Sequence, residues 1–339
     1  MNKHLLLALT LCVSLHGYGQ KMHQLVSPNG NIQVSINISD KIYYDIVCQK
    51  DTLLKQCNLQ MQLGDEEAGN HPKLIKANRK SINESLKPII ALKHSTVSNK
   101  YNQLQLKFKG DYSVEFRAFD DGIAYRFITN KKGMIEVGNE IFQVNFPENY
   151  LLHMQQPGGF KTAYEEEYRH VQSQEWKATG SMALLPLLID TRKDYKILIS
   201  ESALADYPAL FLKSNDRNGM LSVFPKVPLE FGEDGDRSLK ILKEANYIAK
   251  TNGQRCFPWR YFVITKDDGQ LIENTMTYKL ADKNVLEDTS WIKPGLASWE
   301  WWNGATPYGQ DVDFVAGCNL DTYKYFIDFA AHYGIPYII

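Results

Sequence analysis

The sequence predicts an all-β, antiparallel sandwich followed by the first βα unit of a (β/α)8 TIM barrel. Three observations predict it. From residue 20 to about 288 the chain is a succession of short apolar–polar alternations separated by turn residues, the pattern of half-buried antiparallel strands. Near Asp288 the apolar period changes from 2 to 3.6. The stretch from Trp291 to Ile339 then reads as a strand, a helix and the opening of a second strand, the repeating unit of a parallel α/β barrel.

Residues 1–19 read as a secretory signal. Lys3 and His4 give a short polar start, Leu5 to Leu15 an apolar run, and Gly17 and Gly19 the small residues ahead of a cleavage site before Gln20. The apolar run is too short to cross a membrane, and no later run approaches the ~20 apolar residues of a spanning helix. An exported chain with no membrane span is expected. The formal net charge is −1, which argues against a nucleic-acid binder, since that would show a strongly basic face. The basic stretch Lys73 to Lys80 reads as a solvated polar loop.

Within 20–288, Ser27-Pro28-Asn29-Gly30 is a turn ahead of a strand whose inner face is Ile32, Val34, Ile36 and Ile38. Leu104 to Phe108 and Tyr112 to Phe119 alternate across Gly110-Asp111, and Asp120-Asp121-Gly122 turns the chain into Ile123 to Ile128. Later strands are expected at Ser181–Ile189, Tyr195–Ser200, Met220–Phe224 and Trp259–Ile264, with a helical piece at Leu271–Tyr278. A β region of this length calls for two extended, curved sheets. Four cysteines remain after signal removal: Cys48, Cys57, Cys256 and Cys318. Their spacing fits no zinc motif. Cys48 and Cys57 either bridge a hairpin or are buried free thiols.

In the region 289–339, Pro294-Gly295 precedes a strand expected over Leu296–Trp301, and a Gly- and Asp-rich loop follows. Asn319 caps a helix over Leu320–His332, Asp321 sits in its first turn, and Gly334 ends it. Tyr323, Phe326, Ile327 and Ala330 form its apolar stripe.

Two constellations carry candidate chemistry. Trp299-Glu300-Trp301-Trp302-Asn303 ends the first barrel strand, where barrel active sites are built. On a strand Trp299 and Trp301 share one face and Glu300 and Trp302 the other. Trp302 and Asn303 are placed to stack on a sugar and bond its hydroxyls; tryptophans packing between domains is the competing reading. Glu300 either faces the ligand or is paired inside the barrel. The second constellation is Tyr164-Glu165-Glu166-Glu167-Tyr168, on a loop after Pro157-Gly158-Gly159. Three adjacent carboxylates suit either a solvated acidic loop or a hard cation such as calcium. Glycosidases place two carboxylates across the scissile bond, and this chain offers no convincing pair. Glu201, at a strand end, reads as a domain-contact or supporting residue.

At these residues the chain resembles glycoside hydrolase family 97. The resemblance runs through Ser27–Gly30, Phe116–Arg126, Tyr164-Glu165 with Tyr168, Glu201 with Asp206-Tyr207-Pro208, Pro258-Trp259-Arg260, Trp291–Gly295, Trp299–Asn303, and Thr322-Tyr323-Lys324 with Ile327–Ala330. It implies an exo-acting α-glycosidase exported to the periplasm, acting on an oligosaccharide or α-galactoside, with an N-terminal β-super-sandwich and a barrel. It implies one calcium ion, with Glu165 as the ligand from the N-terminal domain. Trp299–Asn303, Tyr308-Gly309, Val312-Asp313-Phe314 and Thr322–Lys324 look like the retaining α-galactosidase branch rather than the inverting α-glucosidase branch. The resemblance also implies that the nucleophile, the acid and the other calcium glutamates follow Ile339, so that no catalytic residue is expected within this chain. A free-standing carbohydrate-binding sandwich is the alternative from another class.

Overall fold

The computed structural model describes residues 21–91, 93–235 and 238–339; the signal segment 1–19 lies outside them, as does the side chain of Asn303. The described residues form two compact units, one of residues 21–86 with 96–282, the other of 87–95 with 283–339.

The first unit is a mostly antiparallel β-sandwich. Its organiser is the 24-residue strand Gly122–Asn145. At ~3.4 Å per residue such a strand is about 80 Å long, long enough to serve several neighbours in turn. It pairs with Tyr112–Phe119, Asp51–Leu63, Gly219–Val223, Ala249–Cys256 and Trp259–Thr265. Irregularities at Gln62/Leu63 and Asn252/Gln254 mark its changes of course. Gly122 starts it beside Trp259–Thr265, where a Cβ would stand 2.1 Å from the Phe262 carbonyl oxygen, so only glycine fits.

The alternation read from the sequence is met where one face is buried. Ile32–Ile38 and Ile42–Cys48 each bury every second residue. The hairpin between Val97–Phe108 and Tyr112–Phe119 turns at Gly110 and Asp111, both with positive φ, which Gly and Asp tolerate. Trp259–Thr265 differs, because all seven of its residues are buried. Phe262 and Ile264 join the main core. Trp259, Tyr261 and Val263 join a second cluster with Phe119, Met276 and Leu280. Helices Asp268–Glu273 and Met276–Leu280 supply part of that cover.

Several expectations are corrected here. The basic stretch at Lys73–Lys80 is not a loop but part of the strand Leu74–Leu86, paired along its length with Val97–Phe108. Its polar side chains stay in solvent, as suits a Lys-rich outer strand. The strand expected from Ser181 is confined to Leu187–Asp190, preceded by a single bridge from Ala183 to Leu212 and by Pro186, which has no N–H to donate. The helical piece at Leu271–Tyr278 is two short helices, because Asp267 caps the first and Asn274 Oδ1 accepts from Met276 N at 2.8 Å to start the second. Cys48 and Cys57 are buried free thiols. The register explains why: Cys48 lies opposite Asp51 and Cys57 opposite Tyr44. Four residues along a strand separate those rungs by about 13 Å, twice the reach of a disulfide.

In the second unit, Ala297–Ser298 pairs in parallel with Tyr337–Ile338, and the helix Leu320–His332 lies between them in sequence. Asn319 Oδ1 accepts from Thr322 N at 3.0 Å, Asp321 is in the first turn, and Gly334 takes φ +67° just past the cap residue Tyr333. Ala330 of the expected stripe is buried, whereas Ile327 is exposed. The strand expected over Leu296–Trp301 is shorter: it ends at Ser298, and Glu300–Asn303 is a 3-10 turn closed by Gly304 at φ +73°.

Candidate functional site

The 3-10 turn overturns the alternating faces expected for Trp299–Trp302. Trp299 instead stacks on Trp301, with centroids 6.3 Å apart, and meets Trp302 edge-on at 5.2 Å. Trp301 is 72% and Trp302 79% exposed, so both present apolar ring faces to solvent. Glu300 points the other way and is buried at 2% exposure. Its Oε2 has no hydrogen-bond partner among the described residues, and the Tyr323 hydroxyl beside it has its pKa raised first by hydrogen bonding to Glu300. Of the residues expected to meet a ligand here, the tryptophans are accessible, Glu300 is interior, and the Asn303 side chain lies outside the described residues.

In the sandwich, the acidic segment lies between strands Leu151–Met154 and Arg169–Gln172, on a loop as expected. Phe160 and Tyr164 pack on Phe211, with centroids at 5.0 and 5.8 Å. Lys161 Nζ donates to Asp234 Oδ2 and to the Leu239 carbonyl, both at 2.6 Å, and so ties the loop to the hairpin Pro228–Glu233/Leu239–Glu244. Glu165 is exposed on this anchored loop. Calcium takes six to eight oxygens. Among the described residues no group of three or more His, Cys, Asp or Glu side chains could hold a metal ion.

Glu201 belongs to a buried ionic cluster. Arg260 donates through Nε and Nη2 to the two oxygens of Glu140, each at 2.8 Å, and through Nη1 to Glu201. Glu201 also accepts from the Leu210 amide at 3.2 Å. Burial pushes the Glu201 carboxyl above the usual carboxylate range, opposed by Arg260 and that amide. Burial acts to lower the Arg260 pKa, but Glu140 and Glu201 outweigh it and the net shift is upward. The groups of this cluster satisfy one another inside the sandwich.

A second cluster lies beside it in sequence. Buried Glu115 accepts from Arg117 Nε at 2.9 Å and from Arg126 Nη2 at 3.1 Å. Both guanidiniums lie over the Trp259 ring, at 4.4 and 4.2 Å from its centroid. Sequence reasoning picked out Arg117, Arg126, Trp259, Arg260 and Glu201 but missed the carboxylates Glu115 and Glu140 that organise them. Local pattern gave no signal for Glu115, which falls on the polar phase of the alternation with Ser113 and Arg117 and is buried only by what packs on that face.

Residues 25–282 match the family described as Glycosyl-hydrolase 97 N-terminal. Over the whole of this chain, a "Retaining alpha-galactosidase" from Bacteroides thetaiotaomicron is 34% identical. This chain spans 53% of that relative's length. A glycoside hydrolase family 97 enzyme from Pseudoalteromonas sp. strain K8, solved in complex with acarbose, superposes with a TM-score of 0.76 at 23% identity. The superposition covers 93% of this chain and 46% of that one. A beta-arabinopyranosidase superposes at 0.75 and 20% identity, covering 93% of this chain and 50% of its own. At those identities the superpositions establish the fold alone. The sandwich is thus the kind that precedes the remainder of a glycoside hydrolase. The chain belongs to glycoside hydrolase family 97, as its N-terminal part.

Proposed function

We propose that the chain is the N-terminal part of an exported, retaining α-galactosidase that binds calcium. The observation that carries the reading is the 34% identity, across the full length of this chain, to a protein named a retaining α-galactosidase. The exposed Trp301 and Trp302 rings, on the segment that follows the first parallel strand, support a sugar-facing role for this region. In this reading Ala297–Ser298, the helix Leu320–His332 and Tyr337–Ile338 begin a (β/α)8 barrel. The chain spans about half the relative's length, and the other half supplies the reacting carboxylates. A retaining glycosidase uses two, about 5–5.5 Å apart, one as nucleophile and one as acid and then base. In this reading Glu165 would contribute one carboxylate to the calcium ion, with the remaining oxygens coming from outside this chain. Residues 1–19 direct export to the periplasm.

The test compares the chain with the product of its reading frame extended to the relative's length. Both are assayed on 4-nitrophenyl α-galactoside and α-glucoside, with NMR reading the first anomer formed. The expected result is no turnover by the chain, and galactoside hydrolysis with retention by the longer product. Turnover by the chain alone defeats the reading. Inversion, or preference for the glucoside, moves the protein to the α-glucosidase branch.

A further inference from the structure

We propose that His153 and His170 form a two-histidine site for a late divalent transition metal, of the nickel, copper or zinc kind. The two residues are direct cross-strand partners in the antiparallel pair Leu151–Met154/Arg169–Gln172. Directly opposed residues project from the same face of the sheet. The rings confirm it: their centroids are 4.7 Å apart, and the two Nδ1 atoms face each other at 2.6 Å. At that distance one imidazole donates a proton that the other accepts.

A metal ion takes the place of that shared proton. The donor ring moves its proton from Nδ1 to Nε2, so both Nδ1 lone pairs become ligands with no net change of charge on the protein. Zn–N bonds of ~2.0–2.1 Å at a tetrahedral angle place two nitrogens about 3.3 Å apart. The observed separation must therefore open by only ~0.7 Å, which two partly exposed rings achieve by small χ rotations. The strand pairing holds the Cα atoms in place meanwhile, so the site is pre-organised by the sheet.

Ligand chemistry fixes the class of ion. Imidazole nitrogen suits zinc, copper and nickel, whereas calcium and magnesium require oxygen. Asp190, a carboxylate on this face opposite Leu151, is already engaged by the Arg192 amide at 2.8 Å and by Lys196 at 3.3 Å. The site consequently has two protein nitrogens, with water filling the other positions, and it stands independently of any calcium bound through Glu165.

The experiment titrates the tag-free chain with nickel chloride and, separately, zinc chloride, by calorimetry in a non-coordinating buffer. One equivalent of metal is expected to bind. His153→Ala and His170→Ala are each expected to abolish that binding, and His94→Ala, at an exposed position elsewhere, to leave it unchanged. Far-UV circular dichroism of every variant checks that the fold persists. Absence of stoichiometric binding, or binding that survives both His153→Ala and His170→Ala, overturns the proposal.

Discussion

Arg260 is gripped by both oxygens of Glu140, with Nε to Oε1 and Nη2 to Oε2 each at 2.8 Å. The two residues lie on strands Trp259–Thr265 and Gly122–Asn145, and both are buried. Removing one partner of a buried pair leaves the other charged in a dry interior, which costs about 3–5 kcal/mol. Arg260→Met is therefore expected to lower stability by that amount, because it strands Glu140 and Glu201 together. Urea unfolding of wild type and variant measures it. A loss under about 1 kcal/mol, the scale of an exposed pair, contradicts the assignment.

Glu201 should give the sandwich a distinctive pH dependence. Burial holds its folded-state pKa above its unfolded value. For a group shifted that way, the stabilising contribution is fully present below the unfolded pKa and is lost as pH rises through the folded pKa. The stability of wild type relative to Glu201→Gln is expected to fall as pH rises above the ordinary carboxylate pKa of about 4. Denaturation of both proteins at several pH values checks this; a difference that is flat or rises with pH refutes it.

The Trp259 ring fills the space under two guanidiniums and packs with Tyr261, Phe119 and Met276. Trp259→Ala removes a large buried ring and should destabilise the sandwich by about 3–5 kcal/mol. Thermal unfolding provides the measurement, with Trp259→Phe as a milder companion. Equal melting temperatures for Trp259→Ala and wild type count against the packing described.

Calcium binding by the chain alone should be weak, because the described residues gather no ligand set around Glu165. Calorimetry with calcium chloride tests it. Submicromolar binding that persists in Glu165→Gln would show that the ion is held elsewhere.

Trp302 is exposed, so Trp302→Ala should leave the unfolding midpoint unchanged within about 0.5 kcal/mol. In the product extended to the relative's length, the same change should weaken substrate binding by about 1–2 kcal/mol through lost ring contact. A variant that binds as well as wild type removes Trp302 from the substrate site.

How much of this was legible in the sequence depends on how local the cause is. Ile32–Ile38 could be read because burying one face of a strand writes a period of two into consecutive residues. The helix Leu320–His332 could be read from Asn319 at its start and Gly334 past its end, both local devices. Leu74–Leu86 could not, because its residues are polar and mostly exposed, and what makes it a strand is the ladder to Val97–Phe108. The tryptophan face pattern failed for a related reason: the strand it assumed stops at Ser298.

The sequence by itself determined the β character of residues 20–288, the change of pattern near Asp288, the family, and the residue types that carry the candidate chemistry. The β character and the change of pattern follow from spacing along the chain, and the family from the resemblance its motifs carry. The tertiary structure decided which of those residues meet. Glu140 and Arg260 are 120 positions apart. The register sets Arg260 opposite Tyr125 and Glu140 opposite Met61, so the pair is not a rung of one ladder but a contact made only when the chain folds. Cys48 and Cys57 are near in sequence yet unbonded, because the register sets them on different rungs. Glu300 turned inward while Trp301 and Trp302 stayed in solvent. Pairing, register and burial are properties of chain segments brought together by folding, so no local pattern encodes them.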